Sequence, residues 1–362
     1  MKQKVLVGMS GGVDSSVTAF LLMQDFLVEG ATMKLFDNEQ ILNTSKTCCA
    51  LEDTEDARRV CHRLGIEHHS FQFTDVFYDE VIRRFADSYT KGETPNPCVD
   101  CNRYVKFPHL LRRAKLLGFD SIATGHYAVI RWDEEKKRHL LYRGKDKTKD
   151  QSYVLYPFTQ EELAHTLLPL GDKTKDEIRQ IAEQNNLHIA NKPDSQDICF
   201  IPDGDYGKFL REKMGTPTQE GNIYHTNGEL LGKHSGTISY TIGQRRGLGL
   251  AYRHPLYVIR KDIVQNQVIV GAEADLFTSE FFVRDVNWIA IESLTTPEQV
   301  TVMTRYRDKE GEATIYPLEN GRVKVSLTQK KRAVTPGQAA VFYQGDMVLG
   351  GGTICSETEE MA

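Results

Sequence analysis

The sequence predicts an α/β N-terminal domain with a doubly wound parallel sheet, a small central domain and a C-terminal β-barrel. Up to residue 200, short apolar runs alternate with amphipathic helical stretches, as in βα units whose helices cover both faces of a parallel sheet. Glycines and turn residues then crowd positions 215–250. Beyond residue 273 come short, alternating, β-branched segments with turns between them, the pattern of a barrel or sandwich. A chain of 362 residues holds about two or three domains, drawn as 1–205, 206–272 and 273–362.

The run KVLVG at 4–8 is the first strand, and 15–27 has helical spacing. Residues 28–36 read as strand. The stretch 51–64 is an amphipathic helix, acidic at its start and basic at its end, which complements the helix dipole; Gly65 stops it. Then come 66–73 as strand, 75–91 as helix, 107–117 as helix before Gly118, and 121–124 as strand. Ligands of such a sheet sit at the carboxyl ends of its strands. A short helix at 206–214 opens the central part, and strands are expected at 281–291, 299–306, 313–316, 323–327 and 339–343. The acidic tail at 357–362 is expected to fray.

Lys and Arg number 45 against 50 acidic residues, a net charge of −5. That excludes a uniformly basic nucleic-acid coat but not a local basic face. Residues 101–115 hold five Lys/Arg and no acid, 231–261 hold six and no acid, and 330–332 add a cluster. Tyr104, Tyr240 and Tyr252 lie among them, where aromatic rings stack on unpaired bases; the bland reading is a set of ordinary solvated faces. No run approaches the roughly 18 apolar residues of a membrane span, and the first dozen residues do not form a secretory signal. The expectation is a cytoplasmic monomer without membrane contact, its seven cysteines kept reduced.

Residues 9–16, MSGGVDSS, lie between the first strand and the first helix. Gly11 and Gly12 let backbone approach an anion closely. The N–H groups of Val13 to Ser15 open a helix whose N-terminus favours negative charge, and Ser10 and Ser15 add hydroxyls. The G-K-[ST] ending of a Walker loop is missing. Asp14 repels phosphate unless a Mg²⁺ bridges it to pyrophosphate oxygens. The plain alternative is a capped strand–helix turn. SGGVDSS resembles the pyrophosphate loop of the ATP pyrophosphatase superfamily, whose members cut ATP between the α- and β-phosphates and adenylate a carbonyl-type oxygen.

The segment TPNPCVDCN at 94–102 is expected to be a rigid, non-helical loop because of its two prolines. Its C-x-x-C, Cys98 and Cys101, lacks the second pair that structural zinc wants. A thioredoxin-like redox pair wants a helix N-terminus, which the prolines argue against; inert loop cysteines are the remaining reading. Cys199 follows Cys101 by 98 residues and opens a short apolar run, where a buried strand cysteine is expected. Cys48, Cys49, Cys61 and Cys355 are read as buried and inert.

Taken together, GMSGGVDSS (8–16), TPNPCVDCN (94–102), ATGHYA (123–128), KDQSY (149–153), DSQDICFI (194–201), YTIGQRRGLG (240–249) and PGQAAVFY (336–343) resemble the MnmA family of tRNA-specific 2-thiouridylases, in order and over essentially the whole length. The resemblance implies an adenine nucleotide alpha hydrolase-like fold. It implies ATP-dependent adenylation of the 2-carbonyl oxygen of the wobble uridine, and replacement of that oxygen by sulfur, in tRNAs for Lys, Glu and Gln. ATP and Mg²⁺ are the expected cofactors, and a sulfur-donor protein, desulfurase or relay, the expected partner. Gly8, Met9, Ser10, Gly11, Gly12, Val13, Asp14 and Ser15 are expected to bind ATP, bordered by Met33 and Gly125. Cys101 matches the family nucleophile and Cys199 the persulfide carrier, with a Cys101–Cys199 disulfide left after turnover. Asn96, Pro97 and Cys98 are expected beside the target base, and His126, Lys149, Asp150, Gln151, Arg305, Tyr306 and Gln338 against tRNA.

That chemistry is coherent, because adenylation turns a poor leaving oxygen into AMP and sulfur nucleophiles ionise easily near neutral pH. The sequence departs from the best-studied branch at Cys98, where that branch carries an acid. Cys98, Cys101 and Cys199 make three thiols, enough to hold a four-iron four-sulfur cluster with one iron open, a variant mechanism. Two other classes remain. An amide-forming synthetase shares the loop but has no need of the cysteines. A non-catalytic RNA-binding or redox-sensing protein with a nucleotide site would release no AMP and pyrophosphate in response to tRNA.

Overall fold

Residues 2–36, 51–187 and 198–355 are described in the computed structural model of the chain. Strands β1 (Lys4–Gly8), β2 (Leu27–Lys34), β3 (His68–Gln72) and β4 (Ser121–Ala123) lie in one sheet. A hairpin, β5 (Ala128–Asp133) and β6 (Arg138–Arg143), leaves it before β7 (Thr166–Leu167) rejoins, giving the order β3-β2-β1-β4-β7. All four pairings are parallel. The strand order reverses beside β1, which is where open α/β sheets bind ligands.

Alternate residues of β1 point to opposite faces. Val5 and Val7 meet α1 (Val13–Leu22), α2 (Leu51–Leu64) and, through Ile178 and Ala182, a later helix at 175–184. Leu6 meets the other face, covered by α3 (Phe107–Leu116). All three β1 residues are fully buried, each worth about 1.5–3 kcal/mol. The sheet is therefore doubly wound, as expected. The helix foreseen at 75–91 is two α-helical pieces, Thr74–Phe77 and Arg84–Thr90, joined by a π-helical turn, Tyr78–Arg83.

The helix α4 (Lys175–Gln184) closes the N-terminal part and α5 (Tyr206–Glu212) opens the next. The central part is a four-stranded sheet of β8 (Gly221–His225), β9 (Leu230–His234), β10 (Tyr257–Asp262) and β11 (Gln267–Gly271), ordered β10-β11-β8-β9. The C-terminal strands are β12 (Phe277–Trp288), β13 (Glu298–Met303), β14 (Gly311–Pro317), β15 (Val323–Arg332), β16 (Ala339–Gln344) and β17 (Met347–Cys355). They run in the order β12-β15-β14-β13-β16-β17, and β12 pairs with β17 to close a six-stranded barrel. Closure removes both sheet edges.

The β5–β6 hairpin was hidden in sequence by its charges. Its buried residues, the adjacent pairs Ala128–Val129 and Leu140–Leu141, stand among Arg131, Asp133, Arg138 and Arg143, so the stretch reads as polar. It reaches across to the barrel, where Tyr142 stands opposite Met347. One apolar cluster runs from Leu6 and Phe107 through Tyr153, Tyr156 and Phe158 to Ile289, Val341 and Tyr343. The sheet and the barrel thus share a core. The tail 356–362, Cys48–Cys49 and Asp194–Asp197 lie outside the described residues. Among the described residues no helix is long and apolar enough to cross a membrane.

Candidate active site

The phosphate loop joins the carboxyl end of β1 to α1. Gly11 has φ +71°, and a Cβ there would meet the Asp53 carbonyl oxygen at 2.3 Å, so only glycine fits. Gly12 is the N-cap in extended backbone, which leaves the first N–H groups of α1 turned outward without intrahelical acceptors. Ser15 Oγ accepts from the Ser10 N–H at 3.2 Å and donates to the Gly12 carbonyl at 3.1 Å. The two serine hydroxyls lie 3.4 Å apart. Gly125, just after β4, lies against this turn: a Cβ there would come within 2.8 Å of Asp14 C and Ser15 N. Met33 stands near the carboxyl end of β2. The nucleotide residues expected from β1, β2 and β4 therefore converge at one end of the sheet.

Asp14 is held by two residues that the sequence reading missed. Lys175 Nζ donates to both carboxylate oxygens at 2.8 Å, and the Tyr127 hydroxyl donates to Oδ1 at 2.7 Å. Lys175 is buried, 5% exposed. It stands at the first position of α4, whose Thr174 N-cap and Glu177 form a capping box. The T-x-x-E spacing was legible as a helix start; what Lys175 would meet was not. The loop N–H groups, Ser10, Ser15 and the Lys175 ammonium suit the anionic phosphates of ATP. Asp14 suits Mg²⁺ as an oxygen ligand once the ion takes the place of Lys175.

From Pro97 on, the segment 94–102 is helical, against expectation. Pro97–Asp100 is an α-helical turn continued by a π-helical turn, Cys101–Lys106. Asn96 is the N-cap, its Oδ1 accepting from the Cys98 N–H at 3.1 Å. Pro97 sits at the first helical positions, where its missing N–H costs nothing; the prolines start the helix rather than prevent it. The ground for setting a redox pair aside thus falls away. Val99 packs into the core shared with the barrel, and Asn102 donates to the Val154 carbonyl at 2.9 Å. Thr94 is fastened to the barrel, its N–H donating to Pro336 O at 2.8 Å and its carbonyl accepting from Gln338 Nε2 at 2.7 Å.

Cys101 is buried in a cluster with Phe36, Phe77, Phe85 and Phe200, and Cys199 packs against that same cluster. The fold thus sets two cysteines 98 residues apart against one aromatic cluster. Cys199 lies in a turn and is half-buried, not in a strand. Met33 packs against this cluster too, which links the nucleotide end of β2 to the cysteines. Cys98 is exposed. Cys98 and Cys101 stand three residues apart on one helical stretch, and Cys199 is half-buried. Among the described residues, the group whose ligand atoms all lie within 4.8 Å of one another is Glu29, Glu67 and His69, outside this site. Burial pushes the Cys61 thiol up to about 11, which keeps it protonated and inert, as expected.

Asp100, between the two loop cysteines, lines a cleft of about 240 Å³ with Asn96, Arg103, Tyr104 and Arg284. Burial raises its carboxyl to about 6, against the pull of Arg84 and Arg103. Because the folded-state value lies above the unfolded 3.8, this contribution to stability is whole below that pH and is lost as pH rises through about 6. The Asp100→Asn variant is expected to melt higher than the parent at pH 8, by up to about 3 kcal/mol, and alike at pH 3.5. Thermal melts at the two pH values check it; an equal shift at both would refute the assignment.

The residues expected to face RNA are spread over several elements. Exposed Arg245, Arg246 and Arg253 belong to the central part, where Tyr252 stacks on His225 at 5.2 Å. Tyr240 is buried at 8% exposure in the central core, so it offers no face to a base; its apolar neighbours outweigh its place in a basic stretch. Asp150 turns its carboxylate inward to Arg143 Nη1 at 3.3 Å, the Gly144 N–H at 3.0 Å and Ser152 Oγ at 2.9 Å. Gln151 Oε1 accepts from the Tyr127 N–H at 3.0 Å, and Lys149 is half-buried in the same loop. Arg305 donates to Ala333 O and to Thr335 Oγ1, and Tyr306 lies 6.0 Å from Tyr153. Burial first, then Lys106, holds the His126 imidazole well below its usual range; its Nδ1 lies 2.8 Å from Thr124 Oγ1.

Comparison with known proteins places the whole chain. Residues 3–203 match the family model described as the tRNA methyl transferase HUP domain. Residues 207–272 match the tRNA methyl transferase PRC-barrel domain, and 278–354 the aminomethyltransferase beta-barrel domain. The tRNA-specific 2-thiouridylase MnmA of Acetivibrio thermocellus is 48% identical over 356 residues, 98% of this chain and 99% of that protein. The protein of the same name from Halothermothrix orenii is 49% identical over 353 residues, 97% and 98% of the two chains. Among solved structures, the U34-tRNA thiolase NcsA from Methanococcus maripaludis with its [4Fe-4S] cluster covers 59% of this chain and 68% of its own, at 21% identity and a TM-score of 0.34, too distant to carry an argument. By its phosphate loop, its paired cysteines and these full-length relatives, the chain belongs to the tRNA-specific 2-thiouridylase family.

Proposed function

We propose that the chain uses ATP to adenylate the 2-carbonyl oxygen of the wobble uridine in tRNAs for Lys, Glu and Gln, and replaces that oxygen with sulfur. The observation that carries the proposal is the packing of Cys101 and Cys199 in one cluster that Met33, at the nucleotide end of β2, also touches. The phosphate loop and Lys175 hold the triphosphate; Asp14 would hold Mg²⁺, which would supply charge screening for pyrophosphate. The uridine oxygen attacks the α-phosphorus and pyrophosphate leaves. The terminal sulfur of a Cys199 persulfide then attacks C2, and AMP leaves with the oxygen. Cys101 thiolate attacks the Cys199 Sγ, so that the S–S electron pair stays on the sulfur bound to C2. A Cys101–Cys199 disulfide remains, and an external thiol reduces it.

The sulfur on Cys199 comes from a donor protein, desulfurase or relay. Asn96, Pro97 and Cys98 border the base, held by the barrel through Thr94, and the exposed Arg245, Arg246 and Arg253 with the loop around Lys149 meet the tRNA. The iron–sulfur variant, with Cys98, Cys101 and Cys199 as ligands, is the alternative form of the same thiolation. Incubating tRNA with the protein, Mg-ATP and a sulfide source, then analysing nucleosides by mass spectrometry, tests the proposal. The expected product is 2-thiouridine at the wobble position with AMP and pyrophosphate released. Release of neither nucleotide product, or an unmodified uridine, would defeat it.

A further inference from the structure

The loop 144–151 is tied to the phosphate loop by two routes that end on one carboxylate. In the first, Gln151 and Tyr127 clasp each other: the Tyr127 N–H donates to Gln151 Oε1 at 3.0 Å, and the Gln151 N–H donates to the Tyr127 carbonyl at 2.9 Å. The Tyr127 hydroxyl then donates to Asp14 Oδ1 at 2.7 Å. In the second, the Lys175 N–H donates to Asp146 Oδ2 at 3.1 Å while its Nζ holds both Asp14 oxygens at 2.8 Å. Lys145 Nζ adds an ion pair to Glu177 at 3.0 Å on the same helix.

Both ends are stiff. Asp150 braces the loop from within, bonding the Gly144 and Ser152 N–H groups and Arg143. Gly144 is pressed so closely on Tyr127 that a Cβ would come within 2.9 Å of the Tyr127 carbonyl oxygen. Tyr127 itself is buried, 2% exposed. A displacement of 144–151 therefore has few ways to be absorbed before it reaches Asp14.

We infer that Tyr127 is a positioning residue through which tRNA contact at Lys149–Gln151 sets the orientation of Asp14, so that the phosphate loop reads whether RNA is bound. This rests on the thiolation reading, which puts tRNA on that loop. The device makes ATP cleavage conditional on substrate: without RNA, Asp14 stays on Tyr127 and Lys175, and a shift of the clasp frees it for Mg²⁺. Coupling between two sites is reciprocal, so a nucleotide that cannot be cleaved between its α- and β-phosphates must tighten tRNA binding by the factor that tRNA tightens the nucleotide.

The test measures the affinity of unmodified tRNA with and without α,β-methylene-ATP and Mg²⁺, and takes the ratio. A uniform loss of either binding cancels in it, so a merely structural defect leaves it unmoved. The parent is expected to show a ratio of at least about 5. The Tyr127→Phe variant, which keeps the backbone clasp and loses only the hydroxyl, is expected to fall below about 2. Gly144→Ala, which pushes on Tyr127 from the loop side, should change the ratio in a folded protein with an unaltered phosphate loop. An unchanged ratio in both variants, or a parent ratio of 1, overturns the inference. Failure of the underlying reading looks different: a parent that neither binds nor thiolates tRNA.

Discussion

Replacing Cys101 or Cys199 by serine is expected to lower 2-thiouridine formation by on the order of 10³-fold or more, about 4 kcal/mol of barrier. A serine hydroxyl does not ionise near neutral pH and cannot carry or release sulfur through an S–S bond. Because the two cysteines act as a unit, the double variant is expected to be no worse than either single one. The stages separate them. Cys199→Ser should still release pyrophosphate from ATP with tRNA present but acquire no persulfide, whereas Cys101→Ser should accumulate the sulfur-loaded protein. Nucleoside and intact-protein mass spectrometry read both. If either variant thiolates at the parental rate, the cysteine pair is not the sulfur path and the amide-forming alternative returns. If Cys98→Ser fails equally and the parent protein carries iron, the cluster mechanism replaces the persulfide one.

Replacing Lys175 by methionine should be nearly as damaging, for an electrostatic reason. The Lys175 side chain is 6% exposed and that of Asp14 28%. Removing one partner of a buried pair leaves an uncompensated charge, at a cost of about 3–5 kcal/mol; the Tyr127 hydroxyl and solvent are left to stabilise it. Discounting for the partial exposure of Asp14, a loss of about 2–3 kcal/mol is expected, read as a lower urea midpoint. ATP affinity should fall at least about tenfold, since an ammonium is lost from the phosphate site. The double variant Asp14→Asn/Lys175→Met should regain stability without regaining ATP cleavage. A single variant with parental stability and parental ATP affinity would show that the contact is incidental.

The phosphate loop was legible in the sequence because its chemistry is local. Gly11, Gly12 and Ser15 act through backbone conformation and hydroxyls within one turn, so their order in the chain is already their arrangement in space. The same holds for the C-x-x-C, though its conformation was misjudged: Pro97 breaks a helix in its interior but starts one at its first positions, and Asn96 in front of it was the signal that tipped the balance. Lys175 was not legible. Nothing near it marks phosphate chemistry, and its partner lies 161 residues away. Tyr240 misled for the opposite reason, since basic neighbours in sequence say nothing about the core formed by Ile223, Val258 and Val268.

What the sequence determined by itself is the set of parts: a parallel sheet from apolar runs between helices, an anion loop from glycines at a helix start, a C-x-x-C with a further cysteine far along the chain, and a closing barrel from alternating strands. Each follows from period, propensity or side-chain chemistry, all of which operate over a few residues. Only the tertiary structure decided which parts meet. It set Cys199 and Cys101 against one aromatic cluster, put Lys175 and Tyr127 on Asp14, and pinned the cysteine helix to the barrel through Thr94. Those contacts arise from burying distant apolar faces together, and a contact between residues a hundred positions apart leaves no mark on the local pattern of either.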